Sequence, residues 1–168
     1  MDFDEVAREY MKDLFKIAYS YVKNVQLAED IVQDVMIKAF ERQEQFRGES
    51  NYKTYLIRMT INRSYDILRS WSYRNYQLTN TFTSFFNHSK STEELAEERS
   101  SNKELYEHVF NLSIKYREVI YLYYYLDYSV KEIGVLLDLS ENTVKTRLAR
   151  GREKLKKLLK EEEAIFNE

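Results

Sequence analysis

The stretch Ser129-Val130-Lys131-Glu132-Ile133-Gly134-Val135-Leu136-Leu137-Asp138-Leu139-Ser140-Glu141-Asn142-Thr143-Val144-Lys145-Thr146-Arg147 decides how this chain is read. Ser129 with Glu132 three residues on is a capping box, in which a hydroxyl and a carboxylate each satisfy an open backbone N–H at a helix start. The helix so begun covers 129–138, Asp138-Leu139 make a tight turn, and Ser140 caps a second helix over 141–160. A short capped helix, a tight turn and a second capped, basic helix are the outline of a helix-turn-helix. Gly134 inside the first of these helices costs about 1 kcal/mol relative to Ala, which predicts a close helix crossing at that point.

Stepping along the second helix at about 100 degrees per residue puts Val144, Leu148, Gly151 and Leu155 on one stripe, the expected buried face. Asn142, Lys145, Thr146 and Ala149 then lie opposite, with Arg147, Arg150 and Arg152 on the flanks. Short polar groups facing base edges, with long cations on both sides for the phosphate walls, are what a major-groove reader needs. A solvated, charged helix of an ordinary bundle has a similar look. The capped helix and turn that precede this one favour DNA.

The rest of the chain supports an all-α fold. Proline is absent from the 168 residues and glycine occurs three times, so helix breakers are nearly missing. Apolar residues at 3–4 spacing from Phe3 to Tyr21 predict a first helix ending near Asn24, and those from Ile31 to Phe40 a second over 27–43. After the loop Arg47-Gly48-Glu49-Ser50, either Ser50 or Asn51 caps a third helix over 52–71. Residues 75–92 lose helical periodicity and crowd with Asn, Ser and Thr, which predicts a linker. Four more helices follow, near 93–111, 114–126, 129–138 and 141–160. The expected architecture is two small helical domains, 1–74 and 101–168, joined by a flexible linker over 75–100.

The function classes left open are few. No cysteine occurs, and His88 and His108 stand alone, so neither a thiolate metal site nor a nucleophile–base set is in view. Neither an enzyme nor a cofactor is implied. The acidic start Met1-Asp2-Phe3-Asp4-Glu5 is unlike a signal peptide, and no apolar run suffices for membrane insertion. A cytoplasmic location is expected. The net charge of −2 hides two basic stretches: residues 51–74 carry 5 cations and 1 acid, and residues 141–160 carry 8 and 2. Local cations, not the total, contact phosphates. In the first stretch Lys53, Arg58, Arg63, Arg69 and Arg74 alternate with Tyr52, Tyr55, Tyr65, Trp71, Tyr73 and Tyr76. Cations that follow a backbone and rings that stack on bases are the components of single-strand binding. Tyr55 and Tyr65 are expected in the core, while Trp71 and Tyr73 suit either core or stacking.

Three groups of residues together resemble one family. Ala28-Glu29-Asp30-Ile31-Val32-Gln33-Asp34 is similar to sigma factor region 2.2. Phe46-Arg47-Gly48-Glu49-Ser50, then Thr54-Tyr55-Leu56-Ile57-Arg58, Asn62, Asp66 and Leu68-Arg69, resemble regions 2.3 and 2.4. Tyr116-Arg117-Glu118-Val119-Ile120, Ser129 to Gly134, Asn142 to Arg147 and Arg150-Gly151-Arg152 resemble region 4. The order and the polar gap match the extracytoplasmic-function group of RNA polymerase sigma factors. That resemblance implies binding to core RNA polymerase, with Asp30, Gln33 and Asp34 on the clamp helices of the largest subunit and region 4 at the flap of the second. It implies −10 recognition by Arg58, Asn62, Arg63, Arg69 and Trp71, with Asn62 lining a pocket for a flipped base. It implies −35 recognition by Asn142, Lys145, Thr146, Arg147, Ala149, Arg150 and Arg152, and an anti-sigma factor that holds the protein, commonly at the membrane. Tyr55 in place of a usual Trp, Ser113 of Pro, Gly134 of Ala and a small Ala149 depart from the family pattern. A helix-turn-helix regulator that works without polymerase would explain 129–160 but not 28–71; an adaptor bundle that binds proteins alone would keep its function when Lys145 and Arg150 are replaced by Ala.

Overall fold

A computed structural model of the chain describes residues 3–45, 51–70 and 105–166. All regular structure among the described residues is helical: α1 (Phe3–Val22), α2 (Val25–Glu41), a 3-10 turn (Gln43–Gln45) and α3 (Tyr52–Arg69), then α4 (105–111), α5 (Ile114–Tyr124), α6 (Val130–Leu137) and α7 (Glu141–Phe166). The expected linker over 75–100, with Trp71 and Tyr73, lies outside the described residues.

Side chains that satisfy open backbone groups set most boundaries. Asn24 accepts from the Leu27 N–H at 2.9 Å and Asn51 from the Lys53 N–H at 2.9 Å, so Asn51 rather than Ser50 caps α3. At α6 both halves of the capping box form, the Glu132 carboxylate accepting from the Ser129 N–H at 2.8 Å. Ser140 accepts from the Thr143 N–H at 3.1 Å to start α7. That helix continues to Phe166, beyond the expected end at 160, because nothing after Lys160 breaks a helix.

In the first half α1, α2 and α3 pack pairwise around Leu14, Ile17, Ile31, Val35, Leu56 and Ile57, all fully buried. Phe40, expected on the apolar stripe of α2, is instead 51% exposed. The core stripe ends at Ala39, and Phe40 faces outward beside Ile37. In the second half α5 packs on α7 and α6 on both, around Val119, Ile120, Ile133, Val144 and Leu148. A Cβ on Gly134 would lie 2.7 Å from the Leu139 carbonyl oxygen, so the glycine serves the α6–α7 turn and not the helix crossing expected there. The close crossing is at Gly151, where an added Cβ would come within 3.0 Å of the Ile120 side chain.

The two halves also touch each other. α1 packs on α5 and α3 on α6, and Tyr19 meets Phe110 with ring centroids 5.6 Å apart. Their buried side chains join in one apolar cluster.

Candidate nucleic-acid interface

The turn that presents α7 depends on Asp138, which adopts the left-handed conformation (φ 55°, ψ 49°), and on Leu139, whose N–H donates to the Gly134 carbonyl at 2.9 Å. With Val144, Leu148, Gly151 and Leu155 buried as expected, the opposite face opens to solvent. Asn142, Lys145, Thr146 and Ala149 are all exposed on it, as are Arg150 and Arg152 on its flanks. The Thr146 hydroxyl donates back to the Asn142 carbonyl at 2.9 Å, which leaves its oxygen lone pairs and methyl outward. Arg152 Nε donates to the Leu148 carbonyl at 3.3 Å.

Arg147 behaves differently. Its Nη1 meets the buried Glu118 carboxylate at 3.0 Å, so the guanidinium is held against α5 and not extended along the groove face.

Beside this face the starts of α5 and α7 enclose a cleft of about 340 Å³, lined by Asn142, Thr146, Arg147 and Arg150 together with Lys115, Tyr116 and Thr143. Lys115 Nζ sits 4.9 Å and Lys154 Nζ 5.5 Å from the Tyr116 ring centroid. Burial raises the Tyr116 phenol, but the hydrogen bonds and charges of Lys115 and Arg150 outweigh it and hold the group below the ordinary tyrosine value. Cations that favour a phenolate favour a phosphate oxygen there too. The sequence reading missed Lys115 and Tyr116, because α5 lies apart from the helix-turn-helix; its only signal was a lysine just before the Tyr-Arg-Glu motif.

On α3 the candidates divide. Arg58, Asn62 and Arg69 are exposed and fall within about 40 degrees of one another around the helix axis. The Arg69 guanidinium lies 5.4 Å above the Tyr65 ring. Arg63 reaches α2 instead, where its Nη2 and Nε bind one Asp34 oxygen at 2.7 and 2.9 Å. A residue expected on DNA and one expected on polymerase are therefore partners across the α2–α3 contact. Asp30 and Gln33 stay exposed on α2, where Ile37 and Phe40 also show 59% and 51% of their surface. Tyr55 and Tyr65, expected in the core, are only partly buried against it.

These two assemblies match known families. The family described as "Sigma-70 region 2" matches residues 6–72, and "Sigma-70, region 4" matches residues 105–155. The chain belongs to the sigma-70 family, with both region 2 and region 4 present. Within that family it is an extracytoplasmic-function sigma factor. Relatives include the ECF RNA polymerase sigma factor SigW of Bacillus subtilis, 28% identical over 95% of this chain and 89% of the relative. ECF sigma factor SigX of the same organism is 29% identical over 91% and 82%. Among solved structures, the sigma factor RpoE in complex with the anti-sigma factor NepR from Bartonella quintana shares the fold, with a TM-score of 0.68 over 95% of this chain and 97% of that one, at 23% identity. CnrH in complex with the cytosolic domain of CnrY gives a TM-score of 0.67 over 94% and 87%, at 24% identity. As a sigma factor, the chain directs promoter-specific transcription initiation by RNA polymerase.

Proposed function

We propose that the work is divided between the exposed faces of three helices. α7 reads the −35 element in the major groove through Asn142, Lys145, Thr146, Ala149 and Arg150, with Arg152 on a phosphate. Arg147 joins them through its remaining guanidinium nitrogens. α3 holds the opened strand of the −10 element with Arg58, Asn62 and Arg69; Arg63 sits at its border with α2, and Trp71 follows in the chain. α2 docks on the clamp helices of the largest polymerase subunit through Asp30, Gln33 and Asp34, and the second half meets the flap of the second subunit. Residues 1–74 and 101–168 form the two working domains, and 75–100 the connection through the polymerase. No catalytic role is assigned to any side chain. The protein acts in the cytoplasm; no described helix is long and apolar enough to cross a membrane. An anti-sigma factor is its regulator, as the neighbouring complexes suggest.

The observation that carries this reading is α7. An apolar stripe is fully consumed by packing while the face opposite carries donors and cations to solvent, beside a cleft to which α5 adds one further cation, Lys115. Such a face reads base edges and phosphates together. The test is capture of bacterial core RNA polymerase by the purified protein, followed by run-off transcription from candidate promoters. Core binding with defined transcripts is the expected result. Duplex binding without core binding would leave a polymerase-independent regulator.

A further inference from the structure

Glu118 is a buried charge whose partners come from both halves of the molecule. Its side chain is 4% exposed, yet it begins as an ordinary member of α5 in the second half. Arg147 of α7 meets one carboxylate oxygen at 3.0 Å. The other oxygen accepts from two tyrosines of the first half, Tyr21 of α1 and Tyr65 of α3, each at 2.7 Å. The two rings meet edge to face at 5.3 Å. Next to them Arg117 Nη2 donates to the Tyr21 carbonyl at 3.1 Å while its Nη1 closes the carbonyls of Phe110 and Leu112. Burial, and with it the carboxylate, raises both tyrosines, so both hydroxyls remain donors.

This geometry places α3 and α7 one carboxylate apart. Elements centred at −10 and −35 are about 25 base pairs apart, roughly 80 Å of duplex at 3.4 Å per base pair. The arrangement therefore cannot serve both elements at once. We propose that Glu118 with Tyr21 and Tyr65 is a latch that closes the −10 helix on the −35 helix, and that promoter binding requires its two tyrosine hydrogen bonds to break. The proposal rests on the assignment of α3 and α7 given above.

The chemistry suits a reversible catch. When the halves part, the carboxylate keeps Arg147, so no buried charge is left unpaired, and the two phenols pass to water. Each half keeps its own packed helices, α1–α2–α3 and α5–α6–α7. What is given up is two hydroxyl–carboxylate bonds, one Arg117 bond, the tilted ring contact of Tyr19 with Phe110 and the apolar packing of α1 on α5 and of α3 on α6. Held closed, α7 and α3 cannot each follow its own promoter element.

The chain has no cysteine, so Gln26→Cys and Lys156→Cys, both at exposed positions, accept spin labels cleanly. Electron–electron distance measurements on the full chain are expected to give one narrow distance. In a Tyr21→Phe, Tyr65→Phe background the distance lengthens and broadens, and affinity of the free protein for a −35 duplex rises about tenfold or more, as loss of hydrogen bonds to a charged group predicts. Tyr65→Phe alone, at a partly exposed ring, moves both readouts in the same direction by less and serves if the double variant fails to fold. A wild-type distance already long and broad, or one unchanged in the variants, overturns the latch and leaves the promoter assignment standing. Opening with unchanged duplex affinity overturns its role as a barrier. Opening with no duplex binding by any version overturns the α7 assignment, and the latch as a barrier falls with it.

Discussion

α3 and α7, the two helices proposed to meet nucleic acid, both carry exposed cations, but they hold them differently. On α3 three of the long side chains are tethered, Lys53 Nζ to Asp13 at 2.8 Å, Arg63 to Asp34 at 2.7 Å and Arg69 over the Tyr65 ring, while Arg58 is exposed. On α7 Lys145, Arg150 and Arg152 stand exposed along a helix that is packed on one side only. Tethered groups lose less freedom when a strand docks, which suits capture of an unpaired base at a fixed place. Exposed cations held by a single neutral partner, as Arg152 by the Leu148 carbonyl and Arg150 by Tyr116, can turn to follow phosphates along a groove, at the expense of strong salt dependence. The neighbours of each helix set the difference. α3 lies between α1 and α2, whose acids reach it, while among the described residues no helix packs on the exposed face of α7.

Four substitutions test this contrast, beginning with the largest effect. Asp34→Arg reverses a charge on the face proposed to dock on polymerase and sets two guanidiniums against each other; core capture should be abolished, and normal capture would remove Asp34 from that interface. Lys145→Ala with Arg150→Ala should lower run-off from a −35-dependent promoter about a hundredfold, at 1–3 kcal/mol for each base-edge contact. Core capture should persist. Unchanged transcription would show that α7 reads nothing. Asn62→Ala should weaken −10 sequence preference by about tenfold while core binding holds; an equal loss of both would make Asn62 part of the docking surface instead.

The smallest effect concerns the cap that starts α6. The hydroxyl and backbone N–H of Ser129 hold Glu132 below its usual value of 4.5. A carboxylate lowered in the fold contributes stability above its unfolded value, and the contribution disappears as pH falls through the lowered one. The melting difference between wild type and Glu132→Gln should thus be present at pH 7 and close once the acid is protonated. A difference that persists unchanged into strong acid would show that the carboxylate charge does not hold the cap.

The all-helical class, both caps of the helix-turn-helix and the α7 face were legible because each follows from local spacing or from one period of 3.6 residues. Phe40 was misplaced for the same reason. A stripe gives a direction, and where the neighbouring helix ends is not written in it. The Asp34–Arg63 pair and the Glu118 node lay beyond sequence reasoning. Tyr21 read correctly as a core residue, but its hydroxyl finds its acceptor 97 positions away. Glu118 sat in a recognised motif, and nothing nearby announced that two tyrosines from the other half would share its oxygen. Lys115 became visible only when the fold brought the start of α5 beside α7.

Three residues with left-handed backbones, Lys23, Asp127 and Asp138, are not glycines. Such a conformation costs an L-residue about 1–2 kcal/mol, and the described glycines, Gly134 and Gly151, are used where bodies press close. Asp127 and Asp138 tolerate the conformation better than most residues and Lys23 does not, and each bend is bounded by a helix on either side. In kinetic terms the turns are followers. The α5–α7 crossing should form before the Asp138 bend becomes persistent, so softening that bend with Asp138→Gly should slow unfolding more than it speeds folding.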